Sequence, residues 1–124
     1  MRDIYGARVL IVEDEGVVAL LIETMLEDFG CEIVASVANV ERAAKVAGSA
    51  DLDVAILDVN VAGQMVFPVA DVLAKRGIPF VFSTGYGVAG LRSDFTDRPV
   101  LNKPYQLEDL RRVLVYLVSS DQAG

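Results

Sequence analysis

The sequence predicts an open, doubly wound α/β sheet of five parallel strands. Five short apolar runs alternate with helical patterns along the 124 residues, the pattern of repeated β–α units. Three of the runs are apolar at nearly every position, which suits strands covered by helices on both faces. Glycines close several of the helical patterns, where a left-handed turn ends a helix.

Taken in order, Arg8 to Val12 reads as the first strand and Glu32 to Ser36 as a weaker second. Asp53 to Leu57 is the third, Ile78 to Phe82 the fourth, and Val100 to Asn102 a short fifth. Between strands one and two, Gly16 to Asp28 carries apolar residues at 17, 18, 21, 22, 25 and 26, a stripe of helical period stopped by Gly30. A short helix over Ala38 to Ala47 ends at Gly48. A third runs from Val66 to Arg76, beginning near Pro68 and ending at Gly77. The last spans Leu107 to Val118, with Leu107, Leu110, Val113, Leu114 and Leu117 on one face; Val115 and Tyr116 fall outside that stripe and read first as peripheral packing, second as partner contacts. The stretch 85–98, rich in glycine, predicts one short helix and loop.

Bulk properties narrow the function. A chain of this length suits one domain, 1–124, and its hydrophobic share of 53% predicts a large core. The net charge of −7 argues against general nucleic-acid binding. The pair Arg111-Arg112 reads as a solvated helix face. With no histidine and Cys31 as the single cysteine, neither a zinc site nor a histidine-based triad is expected, and any metal must be held by oxygen. No apolar stretch is long enough to insert in a membrane, and no signal core opens the chain. One cysteine fits a reducing, cytoplasmic setting.

Doubly wound sheets bind ligands at the carboxyl ends of their strands. Here those ends are Glu13-Asp14, Asp58, Ser83-Thr84 and Lys103. Three carboxylates drawn together repel and tend to take up protons, a conflict that Mg²⁺, or Mn²⁺, removes. A lysine and a threonine beside the cation would bind phosphoryl oxygens. Each residue has a plainer reading: a turn acid at Asp58, helix-capping acids at Glu13 and Asp14, an ordinary turn at Thr84-Gly85, a surface charge at Lys103. All four readings would have to hold at four strand ends together.

These motifs, Val-Glu-Asp-Glu (12–15), Ile-Leu-Asp-Val-Asn (56–60), Phe-Ser-Thr-Gly (82–85) and Asn-Lys-Pro (102–104), resemble those of the receiver domain of bacterial two-component response regulators. The resemblance runs from Arg8 to about Val118. It implies a flavodoxin-like fold with strand order 2-1-3-4-5 and a switched phosphoprotein rather than an enzyme. Asp58 would be the phosphoacceptor. Glu13, Asp14, Asp58 and the backbone carbonyl of Asn60 would hold Mg²⁺. Lys103, before a cis bond to Pro104, would pair with carboxylate or phosphoryl oxygens, and Thr84 would be the switch hydroxyl. The implied partners are a histidine kinase or histidine phosphotransfer protein and a downstream protein, met through the short fourth helix, strand five and last helix. The end of the chain at Gly124 reads as a stand-alone receiver.

Two features depart from the family pattern. Val100 stands three residues before the lysine, where many receivers carry Tyr or Phe. Lys103 follows Thr84 by 19 positions, a short interval consistent with a reduced fourth helix, and Phe82-Ser83-Thr84-Gly85 is close to the Phe-Ala-Thr-Gly string of a receiver subgroup. Three rivals remain. A haloacid-dehalogenase-like phosphatase would need a second acid two residues after its nucleophile, where this chain has Asn60. A receiver-like interaction module without phosphorylation would not need the intact acids. A dinucleotide-binding domain lacks its glycine fingerprint after strand one. Tyr86, two residues beyond Thr84, reads either as a solvent-exposed loop tyrosine or, as the resemblance implies for that position, as a cover over the pocket that restricts hydrolytic water. On the second reading, Tyr86→Ala should shorten the half-life of the acyl phosphate; an unchanged half-life removes that role.

Overall fold

The computed structural model describes residues 4–85, 87 and 89–123. The chain runs β1 (Arg8–Val12), α1 (Gly16–Asp28), β2 (Glu32–Val37), α2 (Val40–Ser49), β3 (Val54–Asp58), β4 (Asn60–Val61), β5 (Gln64–Met65), α3 (Phe67–Arg76) and β6 (Phe80–Thr84). A 3-10 turn (Ser93–Phe95), β7 (Val100–Asn102) and α4 (Leu107–Ala123) complete it. The main sheet has the order β2-β1-β3-β6-β7, all parallel. With the small hairpin β4-β5 set aside, this is the predicted 2-1-3-4-5 order.

Alternation along each strand builds two cores. Val9, Ile11, Val54, Ile56, Val81 and Leu101 face α1 and α4, where they meet Ile22, Leu26, Leu110 and Leu114. Leu10, Val12, Ala55, Leu57, Phe80 and Phe82 face α2 and α3, where they meet Ala43, Ala47, Val69 and Leu73. Both layers exclude water from β1, β3 and β6, which explains why those strands read as continuous apolar runs.

Several boundaries move. β3 and β6 run further than the apolar pattern predicts, ending at the polar residues Asp58 and Thr84. Ile78 and Pro79 precede β6, since proline has no N–H for the ladder. α2 starts later than predicted because Asn39 caps it, its Oδ1 accepting from the Arg42 N–H at 2.8 Å. It also continues through Gly48 rather than ending there; this glycine faces Val72 of α3, where the two helices pack closely. The apolar stripe assigned to α1 is only partly core. Ala19, Ile22, Met25 and Leu26 are buried, whereas Val17 is 83% exposed and Leu20 and Leu21 face solvent. The helix is apolar over more than one face, so its pattern did not single out the buried one.

The stretch 85–98 forms a loop with one 3-10 turn. Phe95 inserts from that turn into a group of rings with Phe67, Phe80 and Phe82, at centroid separations of 5.4–6.2 Å. Arg92 lies 4.7 Å from the Phe95 ring centre and pairs with Asp71 of α3 and with Asp94. Arg98 lies 4.6 Å from the Phe80 ring centre. Aromatic packing and these cations hold the segment where helix is sparse.

The hairpin β4-β5 was not expected. Asn60 pairs with Met65 and Val61 with Gln64 around a two-residue turn, Ala62-Gly63, with φ of 52° and 84°. Positive φ at both positions matches the twist of a tight hairpin. It strains alanine, by roughly 1–2 kcal/mol, and not glycine. Ala62→Gly should therefore leave stability unchanged or raise it by up to about 1 kcal/mol in urea unfolding, because relief of strain outweighs the added freedom of the unfolded chain. A clear loss of stability would contradict this account.

Candidate functional site

Strand ends assemble the site. Glu13 continues β1, its N–H donating to the Val37 carbonyl at 3.0 Å. Asp14 follows it just before α1 begins. Asp58 closes β3 and Thr84 closes β6, both buried. Lys103 comes directly after β7, where its N–H donates to the Thr84 carbonyl at 2.8 Å. The Lys103–Pro104 bond is cis. An open cleft of about 530 Å³ lies between these ends, lined by Asp14, Asp58, Asn60, Met65, Thr84 and Lys103 among others.

Carboxylate oxygens of Glu13, Asp14 and Asp58 lie within 4.8 Å of one another. Glu13 is 3% exposed. Its Oε2 accepts from the Glu15 N–H at 3.1 Å and its Oε1 from Lys103 Nζ at 2.9 Å. Lys103 Nζ is 3.4 Å from Asp58 Oδ2. The ammonium thus sits closer to Glu13 than to Asp58. Asp14 is exposed, and its Oδ2 accepts from the N–H of Ala62 at 3.0 Å. The hairpin turn therefore steadies one of the three acids. Nothing in the sequence signalled this, since an Ala-Gly turn lacks the usual Asn-Gly or Asp-Gly hairpin signature.

Electrostatics follow from crowding. Burial, reinforced by the charge of Glu13, pushes the Asp58 carboxyl up to about 7, and Lys103 opposes that rise only in part. Burial alone would lower Lys103, but Glu13 and Asp58 outweigh it and hold the ammonium above its ordinary range. Among the described residues, Lys103 is the single cation lining the cleft. Three acids against one base leave room for further positive charge, and an all-oxygen donor set suits a hard divalent cation.

Glu13, Asp14, Asp58, Thr84 and Lys103 are thus gathered in one place. Asn60 lines the cleft with its side chain turned aside, Oδ1 accepting from the Gly63 N–H at 3.1 Å. Tyr86 lies outside the described residues. Beside the cleft, Val18, Leu21, Ile22, Pro104 and Tyr105 form an apolar groove of about 320 Å³ that Lys103 also borders. Of the two residues outside the α4 stripe, Val115 packs against the core and Tyr116 is exposed. Among the described residues, no helix is long and apolar enough to cross a membrane.

Comparison with known proteins places these features in context. Residues 9–115 match the family model of the response regulator receiver domain. The solution structure of SdrG from Sphingomonas melonis Fr1 is 42% identical, covers 90% of this chain and 96% of its own, and superposes with a TM-score of 0.79. The BeF3-activated conformation of SdrG, from Pseudomonas melonis Fr1, is 40% identical over 92% of this chain and 98% of its own, with a TM-score of 0.77. At 22% identity, the receiver domain of the sensor histidine kinase PA1611 from Pseudomonas aeruginosa PAO1 shares the fold, with a TM-score of 0.79 over 92% of this chain and 98% of its own; it has a magnesium ion coordinated in its active-site cleft. None of the curated proteins compared matches the chain.

The raised Asp58 sets a pH dependence. The folded chain keeps the Asp58 proton up to about pH 7, whereas the unfolded chain loses it near pH 4. The folded state binds more protons in that window, so stability should fall as pH rises through it in metal-free buffer. Asp58→Asn should remove that part of the slope in urea titrations at successive pH values. An identical slope in the variant would refute the assignment.

Proposed function

The chain belongs to the response regulator receiver domain family of two-component signalling, and from that premise we propose that Asp58 accepts a phosphoryl group from a phosphohistidine donor. The observation that carries this reading is the Asp58 carboxylate at the mouth of the cleft, beside two further carboxylates and 3.4 Å from the Lys103 ammonium. A carboxylate oxygen of Asp58 attacks phosphorus in line. The bond from phosphorus to the donor nitrogen breaks, and the imidazole leaves with its electron pair. An acyl phosphate on Asp58 results.

Each neighbour has a task. Lys103 pairs with the incoming phosphoryl oxygens and helps to keep Asp58 ionised for attack. The Thr84 hydroxyl binds another phosphoryl oxygen once it arrives, shifting the end of β6. Glu13, Asp14, Asp58 and the Asn60 carbonyl would hold Mg²⁺, or Mn²⁺, which supplies the charge neutralisation that transfer needs. The PA1611 receiver, with magnesium in its cleft, supports this by analogy of fold. Asn60, two residues past Asp58, cannot serve as general acid, which disfavours sustained phosphatase turnover.

The donor is a histidine kinase or histidine phosphotransfer protein in the cytoplasm. It docks over α1 at the exposed Leu21 and the apolar groove that Leu21 borders, because Lys103 lines both that groove and the cleft. The phosphorylated form shifts a pre-existing equilibrium toward a surface read by a downstream protein.

With acetyl phosphate and Mg²⁺, wild type should incorporate one phosphoryl group by intact mass, and Asp58→Asn none while keeping its circular dichroism spectrum. Labelling of the variant at the wild-type level would exclude Asp58 as acceptor. Asp14→Ala should weaken Mg²⁺ binding, measured by calorimetry, by at least tenfold, or about 1.4 kcal/mol.

A further inference from the structure

The hairpin that follows β3 is fixed at its base and free to choose a conformation at its tip. Val61 and Val66 are enclosed in the core, and the Val66 N–H donates to the Val59 carbonyl at 2.9 Å. The tip, Ala62-Gly63, is exposed. Ala62 nevertheless keeps a φ of 52°, although a turn with negative φ there would relieve an alanine. A strained backbone persists only where its surroundings hold it, and such points gather at working sites.

Two side chains hold this one. The peptide planes on either side of the Ala62 Cα carry the N–H groups of Ala62 and Gly63. The Ala62 N–H donates to Asp14 Oδ2 at 3.0 Å, and the Gly63 N–H donates to Asn60 Oδ1 at 3.1 Å. Each plane therefore has its own acceptor, one from across the cleft and one from β4. A change of hand at Ala62 re-aims both planes, so the two acceptors act on a single backbone unit. Asn60 starts from a fixed point, since it pairs with Met65 in the hairpin ladder.

We propose that the Asn60 side chain is a positioning residue for Asp14. By accepting from Gly63 it keeps the tip left-handed, and the left-handed tip keeps the Ala62 N–H on Asp14. That acid is then held where it meets Glu13 and Asp58. The role rests on the reading above that these acids take up a divalent cation, and it is separate from the task given to the Asn60 carbonyl. A carboxylate with one oxygen already held needs less ordering when the cation arrives, so affinity rises.

The test follows the full chain, labelled with nitrogen-15, by NMR. In metal-free buffer, Asn60→Ala should speed water exchange of the Ala62 amide about three- to tenfold, as loss of one hydrogen bond would. Asn60→Val, which suits a strand and also lacks the acceptor, should do the same. In an Asp14→Ala background the Ala62 N–H has already lost its acceptor, and Asn60→Ala should add nothing to the rate. A further rise there would place Asn60 on a route other than Asp14 and overturn the proposal. In Mg²⁺ titrations both Asn60 variants should bind about three- to tenfold more weakly than wild type while keeping its circular dichroism spectrum. Ala62 exchange at the wild-type rate in both variants, or unchanged Mg²⁺ affinity despite faster exchange, would equally overturn it. If wild type itself binds no Mg²⁺, the metal-assisted function proposed above fails instead, and the metal-free exchange rates still decide whether Asn60 acts on Asp14 through the turn.

Discussion

Charge crowding at the carboxyl ends of β1 and β3 is the constraint on which this molecule depends. Glu13, Asp14 and Asp58 come together because two parallel neighbouring strands both end in acids. Water screens them poorly, since Glu13 and Asp58 are buried. Lys103 answers part of the charge from β7, with its shorter contact to Glu13. Burial, reinforced by the remaining imbalance, holds a proton on Asp58 near neutrality, and a divalent cation would relieve the imbalance. The charge of this site is thus a property of the fold's strand order as much as of any one side chain.

Much of this was legible in the sequence because strand ends are where an apolar run gives way to a polar residue. The runs ending at Asp58 and at Ser83-Thr84 marked their own functional edges, and the family motifs attached roles to them. Three things were not legible. The partition of Lys103 between Glu13 and Asp58 depends on side-chain distances that spacing does not encode. The hairpin after β3 turns on an alanine in a left-handed conformation, against the usual preference. The exposed face of α1 was hidden because its helix is apolar on more than one side, and period alone does not tell core from surface there.

The loop between β6 and β7 illustrates how a sheet keeps an edge covered with little helix. Phe95 fills the space beside Phe80 and Phe82 that a longer helix would otherwise fill. Arg92 then spans from that ring to Asp71 on α3. The polar ends of this bridge are half exposed, so their ion pairing is screened, and the aromatic contact carries more of the cohesion. In the sequence this stretch shows mostly glycines and polar residues, because the organising residues are single and widely spaced.

Asp14 is tethered across the cleft by a main-chain amide rather than by another side chain. Exchange of side chains along the turn leaves such a tether in place as long as the backbone keeps its handedness. Homologous chains could therefore diverge freely at the hairpin tip without loosening this acid, whereas one inserted or deleted residue, by shifting which amide points inward, would.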